Sequence, residues 1–128
     1  MNLYRSGEDY LKTILVLQEQ NGSVRSVDVA EHLHFSKPSV SKAMKLLQEG
    51  GYLHMDRYKF LHLTPLGKTV AKSVFERHSV LVEALLLIGV APETAEKDAC
   101  ELEHAISEET FIKMKTFLSR WGRARDPA

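Results

Sequence analysis

Residues 36–49 read SKPSVSKAMKLLQE and have the pattern of a short helix with one buried and one exposed face. Ser36 and Pro38 are residue types favoured at the start of a helix. The apolar positions recur at helical spacing and predict the face that packs inward, namely Val40, Met44 and Leu47. We therefore predict a helix over this stretch, with its first turn at Ser36.

The outer side of the same helix carries short hydroxyls and lysines. Small side chains let a helix approach the floor of the DNA major groove, while lysines reach phosphates or guanine edges. A small helical bundle with a solvated face would show the same composition. The candidate DNA-binding residues here are Ser36, Lys37, Pro38, Ser39, Ser41, Lys42 and Lys45.

A shorter helix precedes this one. Ser26 is predicted to cap a helix over residues 27–33, and His34-Phe35 leaves only a brief turn before Ser36. Two helices joined by such a turn, the second of them polar on its outer side, are typical of a helix-turn-helix.

A β-hairpin is predicted after the two helices. Residues 52–55 and 60–63 alternate in polarity and are separated by the polar segment 56–59. A hairpin in this place indicates a wing whose Arg57 and Lys59 contact DNA beside the recognition helix. A merely solvated hairpin tip is the alternative for both residues.

The remaining segments all have helical patterns. A first helix is predicted from Gly7 to Gln20, and a long one opens at Thr64-Pro65 and ends at Gly89. The end of the long helix is more apolar than one packing face requires, which indicates a subunit interface. A further helix starts at Pro92, and Ser107 caps a last one whose apolar residues are predicted to cover the core: Ile112, Met114, Phe117, Leu118 and Trp121.

Composition limits the classes of protein that fit. The 128 residues are 44% hydrophobic and 27% charged, as in an ordinary globular protein. No apolar run approaches the roughly 20 residues that a membrane span needs, so no membrane partner is expected. The single cysteine cannot form an internal disulfide, which fits the reducing cytoplasm.

Charge is divided along the chain, although the formal net charge is zero. Residues 23–68 carry seven Lys and Arg against four acids, and residues 91–110 carry seven acids against one base. The first segment is suited to phosphates and the second to cations.

Within the acidic segment, Cys100, Glu103 and His104 have the spacing i, i+3, i+4. In a helix they would lie within an arc of roughly 100°, so that one ion could contact all three. Thiolate, carboxylate and imidazole are ligands of divalent first-row metals. An ordinary solvated helix face is the alternative.

Several of these motifs occur in the same order as in a known family. They are Ser6-Gly7-Glu8-Asp9-Tyr10-Leu11, Pro38-Ser39-Val40-Ser41-Lys42, Leu63-Thr64-Pro65-Leu66-Gly67-Lys68, Arg77-His78 and Cys100 to Ser107. The chain resembles the metal-dependent repressors typified by the diphtheria toxin repressor and the manganese transport regulator. The resemblance implies a mainly α fold: a winged helix-turn-helix over 1–68, a helical metal-binding and dimerisation domain over 69–128, and metal bound between them.

The resemblance also implies a set of metal ligands. Asp9, Cys100, Glu103 and His104 match ligands of one site, and His78 matches a ligand of a neighbouring site. Two positions depart from the family pattern, because Lys12 and Val82 replace glutamate ligands. A single site built on the first four residues is therefore expected.

The function implied is a divalent-metal-dependent DNA-binding transcriptional regulator, a repressor of metal-uptake genes with Fe(II) or Mn(II) as co-repressor. Zn(II) or Co(II) would also bind in vitro. The expected partners are double-stranded operator DNA and a second identical subunit, with no small organic substrate and no enzymatic activity. The alternatives are a metal-independent winged-helix regulator that senses oxidants through Cys100, and a metalloenzyme whose ligands activate water.

Overall fold

The computed structural model describes residues 5–122 and leaves out residues 1–4 and 123–128. Within the described range the chain forms six α-helices, one antiparallel pair of strands and a final π-helical turn. The elements are α1 (Arg5–Asn21), α2 (Ser26–Leu33), α3 (Lys37–Glu49), β1 (Leu53–Met55), β2 (Leu61–Leu63), α4 (Pro65–Leu87), α5 (Pro92–Leu102), α6 (Glu108–Phe117) and the turn Leu118–Gly122. The predicted mainly α class is confirmed.

The chain divides into two compact units, Met1–Ser73 and Val74–Ala128. This division and the boundary predicted from the sequence, between residues 68 and 69, both fall within α4. The first unit contains the two helices of the helix-turn-helix and the hairpin, and the second contains α5 and α6.

The first unit is built on a continuous apolar core. Helices α1, α2 and α3, both strands and the first part of α4 contribute to it. The inward positions predicted for α3 are correct, since Val40, Met44 and Leu47 are all buried. Leu11 and Ile14 of α1 are fully buried against the same core.

Hydrogen bonds at the N-termini set where helices α2 and α3 begin. The prediction that Ser26 caps α2 is wrong, because Arg25 occupies the N-cap position and its backbone N–H donates to Asp28 Oδ2 at 2.8 Å. The Asp28 N–H, from which a capping hydroxyl would accept, donates instead to the Arg25 carbonyl at 3.0 Å. The predicted cap of α3 is confirmed, since Ser36 Oγ accepts from the Ser39 N–H at 3.3 Å.

The hairpin is the predicted two-stranded wing. Its register pairs Leu53 with Leu63 and His54 with His62. Leu53 and Leu61 are buried on one side of the sheet, whereas His54 and His62 are exposed on the other. This alternation fixes which side faces the core.

The turn from the wing into α4 depends on a glycine. Thr64 Oγ1 accepts from the Gly67 N–H at 3.1 Å and donates to the Gly51 carbonyl at 2.6 Å. A Cβ atom on Gly67 would lie 1.9 Å from the backbone oxygen of Tyr52. No side chain fits there, so the first turn of α4 can approach the hairpin only at a glycine.

The second unit has a much smaller apolar core, formed by Val80, Phe111 and Leu118. The prediction that Ile112, Phe117 and Trp121 cover the core is wrong, since all three are exposed. Phe111 and Leu118 are seven residues apart, two helical turns, and they set the inward face of α6. Leu118 is buried as predicted, and Met114 is partly buried against this core.

Among the described residues, no helix combines the length and the apolar character that crossing a bilayer requires.

Candidate metal centre and DNA-binding face

The predicted ligand segment lies at the end of α5 and continues beyond it. Helix α5 ends at Leu102, so the expectation of one helix face carrying Cys100, Glu103 and His104 requires correction. Glu103 still follows the helical path, because its N–H donates to the Ala99 carbonyl at 2.9 Å. His104 lies in the turn after the helix.

His78 of α4 is the centre of the polar cluster in the second unit. Its Nδ1 lies 2.8 Å from Glu103 Oε2, and its Nε2 lies 2.6 Å from Glu96 Oε1. Cys100 Sγ is 3.9 Å from the same Nδ1. His78, Glu96 and Cys100 each offer a ligand atom, and these atoms all lie within 4.8 Å of one another. Helices α4 and α5 thus bring nitrogen, oxygen and sulfur donors to one point.

Glu103 is the most deeply buried member of this cluster, with its side chain 0% exposed. A buried carboxylate is costly unless charged or hydrogen-bonding partners surround it. His78 lies against one carboxylate oxygen, and His104 Nε2 lies 3.3 Å from the other. Two imidazoles therefore accompany the buried acid.

The donor set fits a divalent transition metal. A neutral imidazole has one N–H, so His78 cannot donate to Glu96 and Glu103 at once without a second proton. An ion on one ring nitrogen would leave the other N–H to donate to a carboxylate, which is the usual arrangement of metal-bound histidine. The mixture of thiolate, imidazole and carboxylate suits Fe(II), Mn(II), Co(II) or Zn(II).

The other predicted ligand, Asp9, belongs to the first unit. It lies on α1 with its side chain about one third exposed, and its Oδ2 is 4.0 Å from Arg5 Nε. Its role as a metal ligand stays a prediction. Glu96 was absent from the predicted ligand set, although its position one helical turn before Cys100 could have indicated it.

The face predicted to bind DNA is open to solvent at the start and along the outer side of α3. The exposed residues include every predicted position there: Ser36, Lys37, Pro38, Ser39, Ser41, Lys42 and Lys45. Ser36 Oγ donates to Ser39 Oγ at 2.7 Å in addition to accepting the Ser39 N–H. Ser36 thus caps the helix, and the pair of hydroxyls keeps one proton for a further acceptor.

The wing tip is a defined turn organised by Asp56. Its Oδ1 accepts from the backbone N–H groups of Tyr58 and Phe60, at 2.8 and 3.0 Å. Its Oδ2 lies 2.8 Å from His62 Nε2. The hydrogen bond with His62, supported by the two amides, holds the pKa of the Asp56 carboxyl below its usual value. The turn leaves the predicted contacts Arg57 and Lys59 exposed.

Comparison with known families agrees with this geometry. Residues 2–61 match the family described as iron dependent repressor, N-terminal DNA binding domain. Residues 64–126 match iron dependent repressor, metal binding and dimerisation domain. The chain belongs to the iron-dependent repressor family. The polar cluster around His78 lies in the part of this repressor that matches the metal-binding domain, and α3 and the wing lie mainly in the DNA-binding part.

Individual relatives of this iron-dependent repressor support the same assignment. The transcriptional regulator MntR of Salmonella typhimurium is 35% identical over 119 residues, which are 93% of this chain and 76% of that protein. The structure of the manganese regulator SloR is 27% identical, with a TM-score of 0.79 over 93% of this chain. A manganese-dependent transcriptional repressor in complex with manganese is 28% identical, with a TM-score of 0.80 over 88% of this chain. The chain spans only 55% and 52% of the lengths of those two structures.

These comparisons confirm the predicted resemblance, the winged-helix fold followed by a helical dimerisation domain, and the predicted class of function. That class is a metal-dependent, DNA-binding transcriptional regulator. They do not favour a metal-independent regulator that senses oxidants.

Proposed function

We propose that the chain is a homodimeric repressor of metal-uptake genes that binds operator DNA when Fe(II) or Mn(II) occupies the cluster around His78. It would act in the cytoplasm and catalyse no reaction. The observation that carries the proposal is the convergence of His78, Glu96 and Cys100 beside the fully buried carboxylate of Glu103. Such a group is costly to assemble without a cation.

Both metals are supported by the donor set and by the relatives. Cys100 is a soft ligand that favours Fe(II), whereas the carboxylates are hard and accept Mn(II). The family is described by iron, and two structurally similar proteins are described by manganese. The proposed ligands in the second unit are His78, Glu96, Cys100, Glu103 and His104, and the resemblance adds Asp9 from the first.

The ion would act by fixing the winged helix. If Asp9 shared the ion with the ligands of the second unit, as the resemblance implies, the recognition helix α3 would be held in one orientation. Two such helices in a dimer must be about 34 Å apart to enter successive major grooves. Without the ion, this order would have to be supplied during DNA binding, and operator affinity would fall.

The second subunit is proposed to pack on an apolar groove of about 400 Å³ between the end of α4 and α6. Its lining includes Leu85, Ile88, Met114 and Phe117. Ile88 is 77% exposed and Phe117 54% exposed, and grouped apolar exposure of this kind marks interaction surfaces. The groove lies in the part of the chain that matches a dimerisation domain.

The decisive experiment measures DNA binding with and without metal. Tight-binding duplexes are first selected from a random pool with Mn(II)-loaded and with Fe(II)-loaded protein, and affinity is then titrated in excess metal or chelator. We expect chelation to weaken binding by roughly 5- to 150-fold, the usual range of allosteric coupling. Equal affinity in both conditions would rule out metal as the switch.

A matched pair of variants connects this effect to the cluster. Glu103→Gln removes the buried charge between His78 and His104, whereas Glu93→Gln removes an exposed acid in the first turn of α5. We expect Glu103→Gln to abolish the response of DNA binding to metal, and Glu93→Gln to retain it. A retained response in Glu103→Gln would contradict the assignment of this site.

A further inference from the structure

Arg77 precedes the proposed ligand His78 on α4 and reaches the turn between α5 and α6. Its Nη1 donates to the backbone carbonyl of Ile106 at 3.0 Å. Its Nη2 donates to the Glu108 carboxylate, and its guanidinium carbon lies 5.0 Å from the centre of the Phe111 ring. The Arg77 side chain is only 16% exposed, so the guanidinium is held on several sides.

The turn that Arg77 contacts carries two of the proposed ligands. Glu103 and His104 immediately follow α5, and Ile106 is two residues further along. The backbone N–H groups of Ala105 and Ile106 both donate to the Leu102 carbonyl, at 2.9 and 3.1 Å. These bonds fold the turn onto the end of α5 but do not attach it to α4.

We propose that Arg77 is a positioning residue for the metal centre. Through the Ile106 carbonyl it fixes the ligand turn of Glu103 and His104 to the helix that carries His78. This inference rests on the proposed function, because it assumes that these side chains hold the ion. Arg77 acts through the turn and is not itself a ligand, since its side chain binds Ile106, Glu108 and Phe111.

The geometry of the contact requires arginine. A guanidinium presents several N–H donors in a rigid plane, so one Arg77 side chain can bind a carbonyl and a carboxylate while it stacks on an aromatic ring. A lysine ammonium is a single flexible point charge and cannot hold all three partners in one geometry. The Glu108 partner is 67% exposed, so its ion pair adds little, and the bond to the Ile106 carbonyl is the important one.

The test uses Co(II) as the probe, because its visible spectrum reports ligand geometry. Arg77→Gln and Arg77→Lys are compared with Lys115→Gln, which removes a different cation that also joins α4 to α6, through Glu76. Co(II) affinity is measured by calorimetry, the spectrum by absorption, and metal-free stability by thermal unfolding.

We expect Arg77→Gln to weaken Co(II) binding by about 10- to 100-fold, as loss of a partner that orients metal ligands does. Its ligand-field and thiolate bands should shift, while Arg77→Lys should be intermediate and Lys115→Gln should match the wild type. The metal-free melting temperatures of Arg77→Lys and Lys115→Gln should agree.

The outcomes separate this inference from the proposed function. Arg77→Gln with wild-type Co(II) affinity and spectrum would overturn the positioning role alone. A wild-type protein that binds no Co(II), Fe(II) or Mn(II) would overturn the proposed function as well. If Arg77→Gln does not fold, Arg77→Lys decides, since wild-type affinity and bands in that variant would also overturn the role.

Discussion

The two units of the chain are stabilised by different means. Among the described residues, the first unit has fifteen buried apolar residues in one core, whereas the second has three. The second also buries the carboxyl group of Glu103 beside two imidazoles, and Ile88 and Phe117 are exposed along one apolar groove. We therefore expect the DNA-binding unit to be stabilised by its own apolar core, and the metal-binding unit to gain more of its stability from a bound ion and a second subunit.

The largest effect on stability should come from a substitution that creates a cavity in the apolar core of the first unit. Met44 is fully buried in α3, and Met44→Ala should lower the free energy of unfolding by about 2–5 kcal/mol. Chemical denaturation of the metal-free protein measures this. If the units are stabilised separately, Co(II) affinity should stay within about twofold of the wild type under conditions where the variant is folded.

Phe111→Ala is the matching change in the second unit. Phe111 belongs to the small core and lies beneath the Arg77 guanidinium. We expect this variant to lose Co(II) affinity by more than Met44→Ala does. Equal losses of affinity in the two variants would show that the units behave as one.

A smaller effect is expected from the groove proposed to bind the second subunit. Ile88→Lys places a charge in an apolar interface and should weaken dimerisation at least tenfold, or about 1.4 kcal/mol. Sedimentation equilibrium measures the dimer constant. Leu46→Lys is the control, because Leu46 is an exposed apolar residue of α3 in the other unit. Unchanged dimerisation in Ile88→Lys would place the interface elsewhere.

The smallest effect concerns the wing tip. Because the pKa of Asp56 is lowered in the folded protein, its carboxylate stabilises the turn at neutral pH, and this contribution is lost as pH falls below its ordinary value of 3.8. Amide exchange at Tyr58 and Phe60 should accelerate over that range, relative to the intrinsic exchange rate. Asp56→Asn cannot titrate, so its exchange should lack this pH dependence. The same pH course in both proteins would contradict the role of the carboxylate.

The sequence correctly predicted those features of a helix that depend only on residues within the helix or next to it. The cap at Ser36 and the buried positions Val40, Met44 and Leu47 follow from spacing along one helix. The predicted start of α4 after Thr64 and the predicted cap of α6 at Ser107 are also confirmed. These features depend on neighbours three to seven residues away.

The predictions were wrong where the cap or the buried face of a helix depends on a competing neighbour or on a residue far away in the sequence. Arg25 is the N-cap residue of α2 and its carbonyl accepts from the Asp28 N–H, so Ser26 does not have the capping role that its residue type predicts. In α6 the inward face is set by packing of Phe111 against Val80 of α4, which the composition of α6 alone does not contain.

The metal cluster shows the same limit. Cys100 and Glu103 stand out in the sequence, and Glu96 lies one helical turn before Cys100. Spacing within α5 does not show, however, that Glu96 contacts His78, eighteen residues away. The pairing of α4 with α5 selects it, and no local pattern encodes that pairing.

The hydroxyl pair at the start of α3 also determines what kind of DNA atom this corner can recognise. The two hydroxyls share one hydrogen bond, which leaves the pair one hydroxyl proton to donate and a lone pair on Ser39 to accept. Such a group can donate to a phosphate oxygen or to the N7 edge of a purine, and it can also accept from the amino group of cytosine or adenine. This corner of α3 can therefore match either kind of base edge, and selectivity has to come from the neighbouring side chains.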